Sequence, residues 1–134
     1  IRLSLVGSEM CIRDSDSGVY EFLSKGSAPG NHEDFMDHVY GTYTSEGLKH
    51  NYALRSAYSN IGEMPFTNLT PGFQGNIDYI WYTSNTLAAS CLLGEVDSTY
   101  LSRVVGFPNA HFPSDHVCIL GEFKVKRLGI EATS

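Results

Sequence analysis

Cysteine is scarce and scattered: Cys11, Cys91 and Cys118 are widely spaced, odd in number, and form no Cys-x-x-Cys pair. That pattern excludes a disulfide-stapled secreted scaffold and reads as reduced thiols in an intracellular protein. The five histidines (His32, His38, His50, His111, His116) make no His-x-His or His-Glu-x-x-His array, so a zinc site built from neighbouring ligands is not expected, while oxygen-ligand chemistry with magnesium stays open. Basic residues are few. Nine Lys and Arg against fifteen Asp and Glu leave a net charge of −6, which excludes gripping RNA with a broad basic surface. Attraction for a polyanion would have to be local, through bound cations and a few placed donors. No apolar run approaches the length that spans a bilayer, so a soluble chain with no membrane partner is expected. Internal repeats and low-complexity tracts are also absent.

What remains is enough for one modest domain with a real core: 134 residues, 42% hydrophobic and 18% charged. Two stretches place polar, reactive side chains at the edge of apolar runs. In Gly75-Asn76-Ile77-Asp78-Tyr79-Ile80-Trp81-Tyr82 the alternation puts Ile77, Tyr79 and Trp81 on one strand face and Asp78, Ile80 and Tyr82 on the other. Asp78 therefore shares a face with large apolar groups. A carboxylate there is costly to desolvate unless a donor or a cation sits beside it. In Phe112-Pro113-Ser114-Asp115-His116-Val117, Pro113 has no amide hydrogen and belongs just outside a strand that runs from His116 to Lys126. Asp115 and His116 then occupy the loop-to-strand corner with diverging side chains. His116 is one candidate donor to Asp78, and a metal is another; the bland alternative is an Asp that satisfies a turn amide and a His packed in the rim.

Residues 1–15 read unlike the rest. Val6-Gly7-Ser8-Glu9-Met10-Cys11-Ile12-Arg13-Asp14-Ser15 resembles a peptide translated from sequencing-adapter DNA, and the stretch is set apart from fold reasoning. From 16 to 26 the spacing predicts a helix with Asp16 or Ser17 as N-cap, Val19, Phe22 and Leu23 on the inner face, and Gly26 as the stop. Residues 31–43 carry no clean period and read as irregular, with one short helical turn. Within residues 48–60, Leu54 and Tyr58 would share one helical face. A turn-rich loop, Thr70-Pro71-Gly72-Phe73-Gln74-Gly75, then feeds the Asp78 strand, and Phe73 within it either presents its ring to a ligand base or tucks beneath the sheet. Leu87 to Leu93 reads as a strand, Asp97 caps a helix holding Tyr100, Leu101, Val104 and Val105, and residues 127–134 read as a tail.

Taken together, Ser17-Gly18-Val19-Tyr20-Glu21-Phe22-Leu23, Leu54-Arg55-Ser56-Ala57-Tyr58, Phe66-Thr67-Asn68, Phe73-Gln74-Gly75 with Ile77-Asp78-Tyr79-Ile80-Trp81-Tyr82, and Pro113-Ser114-Asp115-His116 form an ordered set. That set resembles the Ccr4-type poly(A) deadenylases of the endonuclease/exonuclease/phosphatase superfamily, over residues 16–126. The resemblance implies an α+β fold, the C-terminal portion of a two-sheet β-sandwich with flanking helices. It also implies a cytoplasmic and nuclear enzyme, a magnesium-dependent 3′-to-5′ exoribonuclease acting on poly(A) RNA, joined to other deadenylase subunits through regions absent from this chain.

By the same resemblance Asp115 is a metal-side carboxylate and His116 contacts the scissile phosphate. Asp78 orients His116 or shares in metal binding, Phe73 meets adenine, and Asn68 holds a phosphate oxygen or its own loop. Relatives carry Gly-Asp-Phe-Asn-Ser just ahead of the first motif. Its Asp and Asn fall at Met10 and Ile12 here, neither of which can ligate a cation. The chain is therefore expected to be an incomplete catalytic domain, inactive alone. Two further readings remain: a sister phosphoesterase acting on a nucleotide, DNA or an inositol phosphate, and a non-catalytic fragment that binds RNA or a partner.

Overall fold

The computed structural model describes residues 17–127, so the segment 1–15 and all but the first residue of the expected tail lie outside the described residues. Helix α1 (Gly18–Lys25) opens the description, and its ends follow the sequence. The Ser17 hydroxyl accepts from the Tyr20 amide, and Gly26 closes the helix at φ 78°, where a Cβ would be strained. A buttress lies under its first turn: the Gly18 amide donates to Asp34 at 2.6 Å, and a Cβ on Gly18 would come within 2.8 Å of the His32 ring.

The chain then makes β1 (Ser27–Ala28), a 3₁₀ turn at Glu33–Phe35, a short helix α2 (Thr42–Glu46), β2 (Leu48–Lys49) and β3 (Leu54–Ser56). Another 3₁₀ turn at Ser59–Ile61 leads to β4 (Asn68–Thr70) and β5 (Phe73–Gly75). After β6 (Trp81–Thr83) and β7 (Leu87–Leu92) come helix α3 (Ser98–Leu101) and β8 (Gly121–Val125). Pairing is antiparallel throughout, in four two-stranded ladders: β1 with β2, β3 with β6, β4 with β5, and β7 with β8. The mixed helix and strand content is α+β, as expected.

Several expected elements are shorter than their patterns. The strand through Asp78 is confined to Trp81–Thr83, yet its two faces are kept: Tyr79 and Trp81 both lie edge-on to Tyr20, while Tyr82 and Ile80 join the core. The segment from His116 becomes a paired strand only at Gly121, and Val125 at its far end is 78% exposed. Helix α3 stops at Leu101, leaving Val104 and Val105 beyond it. Phe73, assigned to a loop, stands in β5 opposite Thr70. In each case backbone hydrogen bonds rather than side-chain alternation set the boundary.

Two apolar clusters hold these ladders. One gathers Ala57, Tyr58, Met64 and Tyr82 with Leu87, Ile119 and Phe123; the other gathers Phe66, Phe107 and Val117 with Tyr100 and Phe112. Tyr58 does more than fill volume. Its buried hydroxyl shares a proton between the Leu93 and Leu120 carbonyls at 3.0 and 3.1 Å and accepts from the Leu120 amide. It thereby ties the 57–58 turn to the approach of β8. Tyr20 ties α1 to the same body, its hydroxyl donating to Glu63 at 2.8 Å while Ser56 donates to the other Glu63 oxygen.

Tyr58→Phe keeps the ring and removes those bonds, so urea unfolding should show a loss of about 1–3 kcal/mol. Burial, then the hydrogen bond and charge of Glu63, push the Tyr20 phenol up to about 12 from its ordinary 10.0. The folded chain thus holds this proton more tightly than the unfolded chain. The resulting stability is complete below pH 10 and drains away as pH rises toward 12. Tyr20→Phe should flatten that alkaline fall in a thermal-melting series across pH.

Candidate active site

Asp78 and His116, 38 residues apart in sequence, meet directly: His116 Nδ1 lies 2.6 Å from Asp78 Oδ2. The His116 side chain is 33% exposed and that of Asp78 22%, so the pair sits at the surface of the body rather than in a dry interior. With Nδ1 donating to the carboxylate, the ring presents Nε2 as its working nitrogen. Among the described residues no side chain or backbone group hydrogen-bonds Nε2. The carboxylate orients the ring, and when both ring nitrogens carry protons Nε2 points a donor toward a neighbouring anion.

Asp115 turns the other way. Its Oδ2 accepts from the Asn68 side chain at 3.2 Å, and its carbonyl accepts from the Leu69 amide at 3.2 Å. The two side chains of the corner diverge to separate partners, as the loop-to-strand reading required. Asn68 itself is buried and forms an isolated antiparallel bridge with His116. Four of the five expected site residues therefore form two hydrogen-bonded pairs, Asp78 with His116 and Asn68 with Asp115, set side by side by the backbone bridge between Asn68 and His116.

Phe73 is reached differently. It stands on β5 across from β4, two residues before Gly75, and its ring folds back over that glycine: a Cβ on Gly75 would lie 2.7 Å from Phe73 Cζ. The half-buried ring lies between the two placements that the sequence left open. Gly75 is what permits it.

Two residues quoted only within motifs also build the site. The Ser114 hydroxyl accepts from the His116 amide at 3.0 Å, closing the turn that separates Asp115 from His116. Thr67 is fully buried, and its carbonyl accepts from the Val117 amide at 2.8 Å, next to His116. The Ser-x-His spacing of a side chain capping the amide two residues on was a readable signal for Ser114. Nothing in the pattern singled out Thr67.

Among the described residues no three or more His, Cys, Asp or Glu side chains come together as a cation site. One Asp78 oxygen is engaged by His116 and one Asp115 oxygen by Asn68. The described residues by themselves do not fit a complete divalent-metal cage, and no step is routed through a metal.

No protein-family model matches the chain. Curated relatives do. The chain is 66% identical over 112 residues to the CCR4-Not complex 3′-5′-exoribonuclease subunit Ccr4 of Mycosarcoma maydis, covering 84% of this chain and 17% of that protein. It is 61% identical over 111 residues to the Schizosaccharomyces pombe subunit of the same name, covering 83% of this chain and 16% of that protein. The chain thus spans about one sixth of the length of these relatives. Among solved structures, ANGEL2, a 2′,3′-cyclic phosphatase, superposes with a TM-score of 0.61 at 20% identity, over 79% of this chain and 40% of that one. That likeness shows the endonuclease/exonuclease/phosphatase fold. Nucleases and phosphatases of this superfamily generally use divalent metal ions.

Gly75→Ala should drive the Phe73 ring off the strand. Proton NMR should show the Phe73 ring signals shifted from those of the unaltered chain, with Tyr58 and Tyr82 unchanged. A Phe73 spectrum that stays put would contradict the contact.

Proposed function

We propose, on the premise that this chain belongs to the Ccr4 exoribonuclease family as the counterpart of a C-terminal part of its subunits, that it supplies one side of the active site of a poly(A)-removing 3′-to-5′ exoribonuclease. The observation that carries the reading is the 2.6 Å bond between His116 and Asp78, held beside the Asn68–Asp115 contact. Hydrolysis of the terminal phosphodiester requires a water in line with the leaving 3′-oxygen and donors that take up charge growing on the phosphate oxygens. His116, its Nδ1 fixed by Asp78, is the donor to the scissile phosphate. Asn68 turns the Asp115 carboxylate to the metal side of the site. The half-buried Phe73 ring offers a face on which the terminal adenine stacks.

Magnesium is the ion proposed for the whole enzyme; when bound it supplies positive charge to the phosphate and the attacking oxygen. Asp115, and the remaining oxygen of Asp78, are this chain's contributions to holding it. Because the described residues do not complete a cage, the chain alone is inactive in this reading. Poly(A) RNA is the substrate, and other subunits of a deadenylase complex are partners through regions outside this chain. Cytoplasmic and nuclear placement follows from that role. The fold alone would suit a cyclic phosphatase equally; the 61–66% identity to exoribonuclease subunits favours the nuclease.

The test exchanges the matched segment of the Mycosarcoma maydis subunit for residues 16–126 of this chain. The chimera should trim labelled oligo(A) with magnesium, and His116→Ala within it should lower the rate by roughly 10²–10³. Phe73→Ala should erase any preference for oligo(A) over oligo(U). The 134-residue chain by itself should release nothing. A chimera that folds but cannot trim, or equal cleavage of both oligomers by the unaltered chimera, would sink the assignment.

A further inference from the structure

The Asp78–His116 pair is not held by a continuous sheet. Asp78 precedes β6, and His116 touches β4 only through an isolated bridge. Both flanks are instead bonded to one residue. The Thr67 hydroxyl oxygen accepts from the Ile77 amide and from the Asp78 amide, each at 2.9 Å. Its amide donates to the Gly75 carbonyl at 2.9 Å, and its carbonyl accepts from the Val117 amide at 2.8 Å. With 0% of its surface exposed, no water competes for these bonds. The side chain therefore fixes the backbone that carries the carboxylate, and the main chain fixes the backbone that carries the imidazole.

We infer that Thr67 is a positioning residue: its two-acceptor hydroxyl sets the height of Asp78 against His116, so that the carboxylate meets Nδ1 at hydrogen-bonding distance. A threonine oxygen has two lone pairs, and both are used here. Serine preserves this arrangement. Valine has the same shape but strands two buried amides and lets the 77–78 segment drift. The catalytic consequence rests on the reading of His116 as the phosphate donor; the positioning itself does not.

The experiment is NMR on the ¹⁵N-labelled 134-residue chain, with no substrate or metal, following the His116 Nδ1 proton. In the unaltered chain and in Thr67→Ser this proton should resonate far downfield and exchange slowly. In Thr67→Val it should move upfield and exchange about tenfold faster or more, the expected effect of losing a buried hydrogen bond. Signals of Tyr58 and Phe107, in the two apolar clusters, should stay in place. An unchanged His116 proton in Thr67→Val would overturn the inference, as would its loss in Thr67→Ser, which would assign the role to the methyl group. Should Thr67→Val not fold, hydrogen exchange in the unaltered chain decides. Ile77 and Asp78 amides should be as protected as that of Val117, and amides exchanging freely while Val117 is protected would overturn it. Failure here leaves the oligo(A) result untouched, and the reverse also holds.

Discussion

One acceptor-rich stretch, Phe66 to Leu69, is the constraint on which the site depends. Within it Phe66 is anchored in an apolar cluster, Thr67 bonds the segments on either side of the Asp78–His116 pair, Asn68 holds the Asp115 carboxylate, and the Leu69 amide holds the Asp115 carbonyl. The Asn68–Asp115 bond joins residues 47 apart in the chain, and those from Thr67 to Ile77 and Asp78 close loops of 10 and 11 residues. Closing such loops costs conformational entropy, and a few buried polar bonds can offset it only where water is excluded. That is why the polar residues here, Thr67 and Asn68, are among the most buried in the chain while the reactive groups they hold remain half open.

The arrangement also answers the charge problem posed by the composition. A chain with a net charge of −6 repels a polyanion at long range, so on the proposed reading its grip on a phosphodiester would be concentrated. An imidazole paired with a carboxylate provides one oriented donor without a basic patch. A ring folded over a glycine provides a stacking surface that carries no charge. Both devices work at contact distance, where screening by salt is weakest.

Sequence legibility followed the length scale of each signal. Helix α1 was readable at both ends because Ser17 and Gly26 act on their immediate neighbours. Asp78, Asp115 and His116 were readable because charged or titratable groups at the edges of apolar runs demand a partner, and the motif set added Asn68 and Phe73. Strand lengths were not readable. The alternation through 77–82 and 116–125 is real, with Tyr79 and Trp81 sharing one face, but pairing partners decide where a ladder starts: β6 begins where it meets β3, and β8 where it meets β7. Thr67 was invisible for the same reason: a threonine inside an apolar segment looks like any β-former until the amides that it satisfies are known.

The separation between the holding residues and the reacting residues bears on how such a half-site can exist at all. A donor is useful to a transition state only if its position is fixed before the substrate arrives, since reorganising it during the reaction would consume the stabilisation that it offers. Here the His116–Asp78 geometry is fixed by Thr67 and by the short turn through Ser114, all within residues 67–117. None of it requires a cation or the remaining ligands. A segment of about one sixth of its relatives' length therefore carries a pre-oriented Asp78–His116 pair, the donor of the proposed reading, while no metal cage forms among its described residues. On the proposed reading, orientation is encoded in this stretch, whereas its described residues do not by themselves gather the ligands that a charge-supplying cation would need.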